Sequence, residues 1–238
     1  MSTRTSSAVA SARRGQDANR IVMGIGGAII VALVAAIVVA VLTATKDTKA
    51  EGPLVTPAAA TANGGIRVGA AGAGTTVAVY LDYMCPFCGR FERANSADLG
   101  ALVAEGGVAL ELHPMSFLDH ASNGAEYSTR AANAVVTVAD RDAAHLLAFN
   151  NALFENQPAE GGSGLDDTRI ASLAAAAGVP ATVISTFTDR TYVPWIQQAT
   201  RAAFDSGITG TPTVKINGVA TGVDLYTAGP LRAAITAR

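Results

Sequence analysis

The chain has few of the side chains that usually hold metal ions. Its 238 residues include two cysteines and three histidines. His113, His120 and His145 are scattered and no second cysteine pair exists, so the four ligands of a structural zinc site are missing. The sequence also lacks a Gly-rich phosphate loop, a nucleotide-binding fingerprint and a basic patch, which argues against nucleotide and nucleic-acid ligands. We therefore expect a function that needs neither a metal nor an organic cofactor.

Charged residues are scarce as well: they make up 15% of the chain, whereas 50% of the residues are hydrophobic. Part of the apolar excess lies in residues 21–44, which carry no charge. Roughly 22 residues at about 1.5 Å each cover about 33 Å, enough for a helix to span a bilayer. Four arginines and a single acid precede this segment, so the positive-inside bias predicts that residues 1–20 are a cytoplasmic tail. The sequence thus predicts a single-pass protein of the cell membrane with an extracytoplasmic C-terminal domain.

Two features qualify this membrane prediction. A cleaved signal peptide is the alternative to a permanent anchor: its apolar region is usually only about 7–15 residues long, although Leu42-Thr43-Ala44-Thr45 offers small residues for cleavage. After the apolar segment, residues 45–65 are rich in Ala, Thr, Gly and Pro and have no periodic apolar face. We predict that this stretch is a flexible linker.

The two cysteines form one C-x-x-C motif, Cys85-Pro86-Phe87-Cys88. The preceding Thr75–Leu81 is rich in β-branched and apolar residues, which predicts a buried strand, and apolar residues at helical spacing follow the motif. Proline suits the first position of a helix, so Cys85 is expected near the N-cap and Cys88 in the first turn. Free N–H groups and the helix dipole favour a thiolate there. We therefore predict that Cys85 is the exposed nucleophile with a low pKa and that Cys88 closes the disulfide.

The pair and its neighbours have other interpretations. An inert structural disulfide is one, but a C-x-x-C bridge closes a very short loop and gains little loop entropy, so redox activity is favoured. Asp82 is interpreted first as a strand-end acid bonded to the backbone, with an influence on proton transfer as the alternative. Arg90 stands one helical turn from the motif, where its charge could favour the Cys85 thiolate.

The remaining pattern outlines an α/β fold. Ile66-Arg67-Val68 is a candidate first strand, and Val108 to His113 predicts a strand that completes a parallel βαβ unit. The stretch of about 116–206 has helical periodicity and no convincing strand. Thr213 to about Val223 predicts a hairpin around the turn signal Asn217-Gly218, followed by a closing helix.

A second motif, Gly210-Thr211-Pro212-Thr213-Val214, begins that hairpin. Together with the C-P-F-C motif it resembles the DsbA-like branch of the thioredoxin superfamily, and the resemblance covers residues 66–238. It implies a thioredoxin fold with an inserted α-helical domain, here preceded by one transmembrane helix. It also implies a cis Thr211–Pro212 bond facing the cysteines, where these two residues, with Pro86 and Phe87, shape the substrate groove. The family often has a buried acid six residues before the first cysteine, but this chain has Val79 there, so that role does not carry over.

The resemblance implies a membrane-anchored, extracytoplasmic thiol–disulfide oxidoreductase that oxidises dithiols of exported proteins. Cys85 forms the mixed disulfide with the substrate and Cys88 resolves it. The implied redox partner is a quinone-coupled oxidase in the membrane. Two alternatives stay open: a reductase that keeps exported thiols reduced, for example in cytochrome c maturation, and a non-catalytic chaperone that uses the peptide groove.

Overall fold

The computed structural model describes residues 52–238, so the predicted cytoplasmic tail, transmembrane helix and first part of the linker lie outside the described residues. Between residues 52 and 238, no helix combines the length and apolarity needed to cross a membrane. The end of the predicted linker packs on the domain. The N–H of Ala58 donates to Asp140 Oδ1 at 2.6 Å, and Ala60 forms a β-bridge with Ile66. The ordered domain therefore begins before the predicted boundary at Ile66.

A five-stranded mixed sheet forms the centre of the domain. Its strands are β1 (Ile66–Val68), β2 (Thr75–Leu81), β3 (Val108–Pro114), β4 (Thr213–Ile216) and β5 (Val219–Ala220). Their order across the sheet is β1-β3-β2-β4-β5, with β2 and β3 parallel and the other neighbours antiparallel. The parallel pairing of β2 and β3 confirms the predicted βαβ unit. Asn217 and Gly218 both have positive φ, as a two-residue hairpin turn requires, and β4 pairs with β5, so the predicted hairpin is confirmed.

The domain also contains seven α-helices within residues 52–238. The helices are α1 (Pro86–Ala104), α2 (Tyr127–Arg141), α3 (Leu146–Glu155), α4 (Asp167–Ala176), α5 (Ala181–Ile184), α6 (Val193–Asp205) and α7 (Pro230–Thr236). Helix α1 joins β2 to β3, whereas α2 to α6 lie between β3 and β4 in sequence. The described stretch 116–206 contains only helices, 3-10 turns and loops, as its periodicity predicts.

The two faces of the sheet bury different side chains because neighbouring residues of a strand point in opposite directions. Val77, Val79 and Leu81 belong to the large core, together with Phe91 of α1 and many residues of the helical segment. Ala78 and Tyr80 instead join a smaller core whose other members are Met115, Ala203 and Ile208. Helix α1 thus lies on one face of the sheet, and α6, which carries Ala203, lies on the other.

Candidate active site

The C-x-x-C motif occupies the turn between β2 and α1. Cys85 is the N-cap of α1 and Pro86 is its first residue, as the sequence predicts. The N–H groups of Cys88 and Gly89 donate to the Cys85 carbonyl oxygen at 3.0 and 3.2 Å. Both cysteines are free thiols. The site is therefore in its reduced form at the start of a helix.

The prediction that Cys85 is exposed is wrong. Its exposed fraction is 5%, and that of Cys88 is 0%. The loop before β4 covers the first sulfur: Cys85 Sγ donates to the carbonyl oxygen of Thr211 at 3.4 Å. The thiol nevertheless retains access to solvent, whereas Cys88 has none.

The surroundings shift the pKa values of the two thiols in opposite directions. The surroundings lower the pKa of Cys85 to about 6, chiefly because the Cys88 thiol donates a hydrogen bond to the Cys85 thiolate, which outweighs the effect of burial. The Thr211 hydroxyl and the backbone N–H groups of Cys88 and Phe87 add to this stabilisation. The pKa of Cys88 lies well above its usual range because burial disfavours its thiolate and the neighbouring Cys85 holds its proton. At neutral pH the arrangement therefore holds one thiolate and one thiol.

The Thr211-Pro212 segment closes the site from the other side. Its peptide bond is cis, and Thr213 begins β4, where it pairs with Tyr80 of β2. This pairing brings the two motifs, 126 residues apart, into contact. The Thr211 hydroxyl is buried and has no hydrogen-bond partner among residues 52–238 while Cys85 is a thiol. It is a donor that becomes satisfied when the thiolate forms.

Asp82 anchors the turn that leads to Cys85. Its Oδ1 accepts hydrogen bonds from the Met84 N–H at 2.8 Å and the Ser128 hydroxyl at 2.6 Å, and its Oδ2 accepts from the Leu118 N–H at 2.8 Å. Burial nevertheless raises the pKa of this carboxyl to about 6. The backbone-bonding interpretation of Asp82 is confirmed, and Ser128 and Leu118 extend it into the segment that follows β3.

Sequence reasoning missed two polar side chains near the cysteines. Glu92 is buried in α1, four residues after Cys88, and burial raises its pKa to about 7. Its position one helical turn from Cys88 was a usable signal, since residues four apart share a helix face. Gln157 lies just after α3, and its Nε2 donates to the Cys85 carbonyl oxygen at 2.8 Å. No local pattern marks Gln157, because the contact depends on how the helical segment folds back.

An exposed aromatic patch borders the cysteines. Phe87 is 52% exposed and Tyr226 is 38% exposed, with ring centroids 6.1 Å apart. The guanidinium carbon of Arg90 lies 4.5 Å from the Tyr226 ring centroid. The structure thus places Arg90 against an aromatic ring, and stabilisation of the Cys85 thiolate comes from other groups. These three side chains, called the aromatic patch below, form a surface beside the reacting sulfur.

The two histidines near the end of β3 make other contacts. His113 stacks on Tyr80, on the sheet face that carries α6, with ring centroids 4.0 Å apart. The Nδ1 of His120 lies 3.2 Å from the Phe117 carbonyl oxygen. The hydrogen bonds that lower the pKa of Cys85 come from neither histidine.

Comparison with known proteins gives a consistent result. Residues 61–235 match the family model Thioredoxin_4, described as thioredoxin. The reduced disulfide oxidoreductase DsbG of Mycobacterium tuberculosis is 33% identical with a TM-score of 0.59, covering 67% of this chain and 81% of that chain. Reduced DsbA of the same organism is 32% identical with a TM-score of 0.59 and coverages of 67% and 85%. The thiol–disulfide oxidoreductase MdbA of Actinomyces oris is 25% identical with a TM-score of 0.64 and coverages of 76% and 92%.

The curated relatives that the chain matches are much longer proteins. Over 127 residues the chain is 38% identical to the serine/threonine-protein kinase PknE of Mycobacterium tuberculosis, which covers 52% of this chain and 22% of the kinase. The chain therefore spans about a fifth of the length of the curated relatives that it matches.

Proposed function

The chain belongs to the thioredoxin family and, within it, to the DsbA-type thiol–disulfide oxidoreductases, and from this premise we propose that it forms disulfide bonds in exported proteins. The observation that carries the proposal is the contrast between the two sulfurs. Cys85 has its pKa lowered to about 6, while the pKa of Cys88 is raised well above its usual range. A stabilised Cys85 thiolate is a good leaving group, which favours release of an oxidised substrate.

In the oxidising direction, the reaction starts from a Cys85–Cys88 disulfide. A substrate thiolate attacks Cys85 Sγ, the bond to Cys88 Sγ breaks, and Cys88 takes up a proton as its high pKa demands. The second substrate thiolate then attacks the substrate sulfur of the mixed disulfide, and Cys85 leaves as a thiolate. Two electrons pass from the substrate dithiol to the cysteine pair. Attack by Cys88 on the mixed disulfide reverses the first step.

The surface around Cys85 suits an extended substrate. Pro86 and Phe87 are exposed at the start of α1, and the aromatic patch offers apolar area to side chains that flank the substrate cysteine. The carbonyl oxygen of Thr211 lies 3.4 Å from Cys85 Sγ and can accept a hydrogen bond from a substrate N–H once the thiol proton has left.

The proposed place of action is the outer side of the cell membrane. The apolar segment 21–44 would anchor the protein, and the arginines before it favour a cytoplasmic N-terminus. Disulfide formation also fits an oxidising compartment. The reduced pair would then pass its two electrons to a quinone-coupled oxidase in the same membrane.

Refolding of a reduced, disulfide-containing protein tests this function, with oxidised glutathione as the electron acceptor. We expect the full-length protein to accelerate recovery of native disulfides. Cys85→Ser should abolish the acceleration, and Cys88→Ala should accumulate a mixed disulfide between Cys85 and the substrate. Acceleration that survives in Cys85→Ser would contradict the proposal and indicate a chaperone.

A further inference from the structure

A cavity lies on the sheet face opposite α1, away from the cysteines. It has a volume of about 800 Å³, within the range of small-molecule sites. Strands β2, β3 and β4 form its floor, α6 forms one wall, and residues 54–64 form another. Neither Cys85 nor Cys88 lines it. The cavity is thus separate from the proposed redox site.

The floor of the cavity carries two opposite charges separated by a small side chain. Ala78 of β2 is paired in register with Glu111 of β3 on one side and with Lys215 of β4 on the other. Because neighbouring strands are about 4.8 Å apart, the backbones of Glu111 and Lys215 are about 10 Å apart. The alanine methyl leaves the space between them free.

The two charges are not equally neutralised by the protein. Glu111 Oε1 lies 3.8 Å from Nη1 of Arg67. Lys215 Nζ lies 5.5 Å from the centre of the Tyr80 ring and, within residues 52–238, no carboxylate oxygen comes within 4.0 Å of it. A half-buried ammonium group without a counter-ion attracts an anion.

One more polar group of the cavity is left without a partner. His113 is 3% exposed, and its Nε2 makes no hydrogen bond to any residue from 52 to 238. Burial, with a contribution from Lys215, lowers the pKa of His113 to about 4, so the ring is neutral at neutral pH. The distance from His113 Nε2 to Glu111 Oε2 is 3.8 Å, which is too long for a hydrogen bond. Because this Nε2 has almost no accessible surface, His113 contributes a neutral ring to the cavity wall, and the polar contacts of an occupant fall to the other lining residues.

The walls combine small apolar residues with neutral polar ones. Ala62, Ala199 and Ala202 leave room, and Trp195 and Tyr80 add aromatic surface. The cavity is also lined by residues with amide or hydroxyl side chains: Thr61, Asn63, Thr76, Gln198, Ser206 and Asn217. A ligand made of backbone amides and small side chains matches this lining better than a purely apolar or a highly charged ligand does.

We propose that this cavity binds a short peptide, or a peptide-like molecule, through a free carboxylate that pairs with Lys215. The neutral polar wall residues pair with the amide groups of the ligand. Its small side chains fill the space above Ala78. This binding function goes beyond the redox function and does not depend on either cysteine.

The test uses the one tryptophan of the chain, Trp195, which lines the cavity, so its fluorescence reports on occupancy without interference. The full-length protein is titrated with N-acetyl-Ala-Leu-Ala as the free acid and as the C-terminal amide. A charge-assisted bond should make the acid bind at least about tenfold more tightly than the amide. Lys215→Gln should reduce affinity for the acid to that for the amide. Cys85→Ser should leave both affinities unchanged.

Two further variants complete the test. Arg201→Gln removes the same charge from an exposed position on α6 outside the cavity lining, and it should not alter binding. Ala202→Phe fills the cavity from an exposed lining position, and it should abolish binding of both peptides. Equal affinities for acid and amide in the wild-type protein would overturn the proposal. So would the absence of any fluorescence change at millimolar peptide, or unchanged binding in Ala202→Phe.

Discussion

Gln157 holds the turn that carries Cys85. Its side-chain Nε2 donates to the Cys85 carbonyl oxygen at 2.8 Å and to the Tyr83 carbonyl oxygen at 3.1 Å. Gln157 follows α3, whereas Cys85 begins α1, so the helical segment supports the redox turn from 72 residues away. Because both acceptors belong to the connection between β2 and α1, this amide fixes the start of α1.

Gly89 provides a way to displace this amide. A Cβ added at Gly89 would overlap Gln157 Oε1, so Gly89→Ala must push the side chain away from Cys85 and Tyr83. We expect Gly89→Ala to lower the free energy of unfolding by about 1–2 kcal/mol, because two carbonyl groups lose a donor. Chemical denaturation measures this change.

The matched control is the same substitution in a Gln157→Ala background. There the clash is absent, and alanine should stabilise the helix by up to about 1 kcal/mol relative to glycine. The sign of the effect of Gly89→Ala is thus expected to reverse between the two backgrounds. Equal destabilisation in both would show that Gln157 does not restrain this turn.

The hydrogen bond between the two sulfurs is the main cause of the low Cys85 pKa. Cys88→Ala removes the donor, and since a hydrogen bond to a charged group contributes about 1.5–3 kcal/mol, the Cys85 pKa should rise by about 1–2. Cys88→Ser keeps a donor and should leave it nearer to about 6. Thiolate absorbance as a function of pH measures both variants. A Cys85 pKa that stays near 6 in Cys88→Ala would assign the effect to the helix start alone.

Local patterns predicted the framework of this site. A run of β-branched and apolar residues predicted β2, Pro86 predicted the first residue of α1, and Asn217-Gly218 predicted the hairpin, because each prediction depends on residues close in sequence. The meeting of Cys85 with Thr211 was expected from a family resemblance, and the pairing of β2 with β4 produces it.

The features that sequence reasoning missed depend on tertiary packing. Cys85 was expected to be exposed, but the loop that contains Thr211 covers it. Glu92 looks like an ordinary helix-surface acid until the helical segment packs over α1 and buries it. The four-residue spacing from Cys88 indicates a shared helix face, but whether that face is covered depends on distant contacts that no single stretch of sequence reveals.

Glu92 should make the stability of the protein depend on pH. Its pKa in the folded state is about 7, above its ordinary value of 4.5. Between these values the unfolded chain has lost the proton and the folded chain keeps it, so this contribution to stability is greatest at low pH, falls as the pH rises from 4.5 to about 7, and levels off above that. Asp82, with a pKa of about 6, acts in the same direction. Glu92→Gln should reduce the loss of stability between acidic and mildly alkaline pH by on the order of 3 kcal/mol.

The measurement is denaturant unfolding over that pH range in a Cys85→Ser background, because the lowered pKa of Cys85 has the opposite effect. Glu155→Gln is the matched control, since it removes the same charge from an exposed position. An unchanged pH profile in Glu92→Gln would show that Glu92 is ionised in the folded protein at neutral pH.

The proposed topology is tested by fusing alkaline phosphatase, which is active only outside the cytoplasm, after Lys49 or after Arg238. The arginines before residues 21–44 favour a cytoplasmic N-terminus, so both fusions are expected to be active in intact cells. Inactive fusions at both positions would reverse the orientation. An active fusion protein recovered in the medium rather than in the membrane would indicate cleavage of the apolar segment.

The reduction potential of the Cys85–Cys88 pair tests the proposed direction of electron flow most directly. Stabilisation of the Cys85 thiolate stabilises the reduced pair, which makes the disulfide more oxidising. The full-length protein is equilibrated with glutathione buffers, and the fraction of Cys85–Cys88 disulfide is quantified by alkylation and mass spectrometry. We predict a potential above that of thioredoxin, about −270 mV. A potential at or below that value would contradict the oxidase function and would instead indicate a reductase.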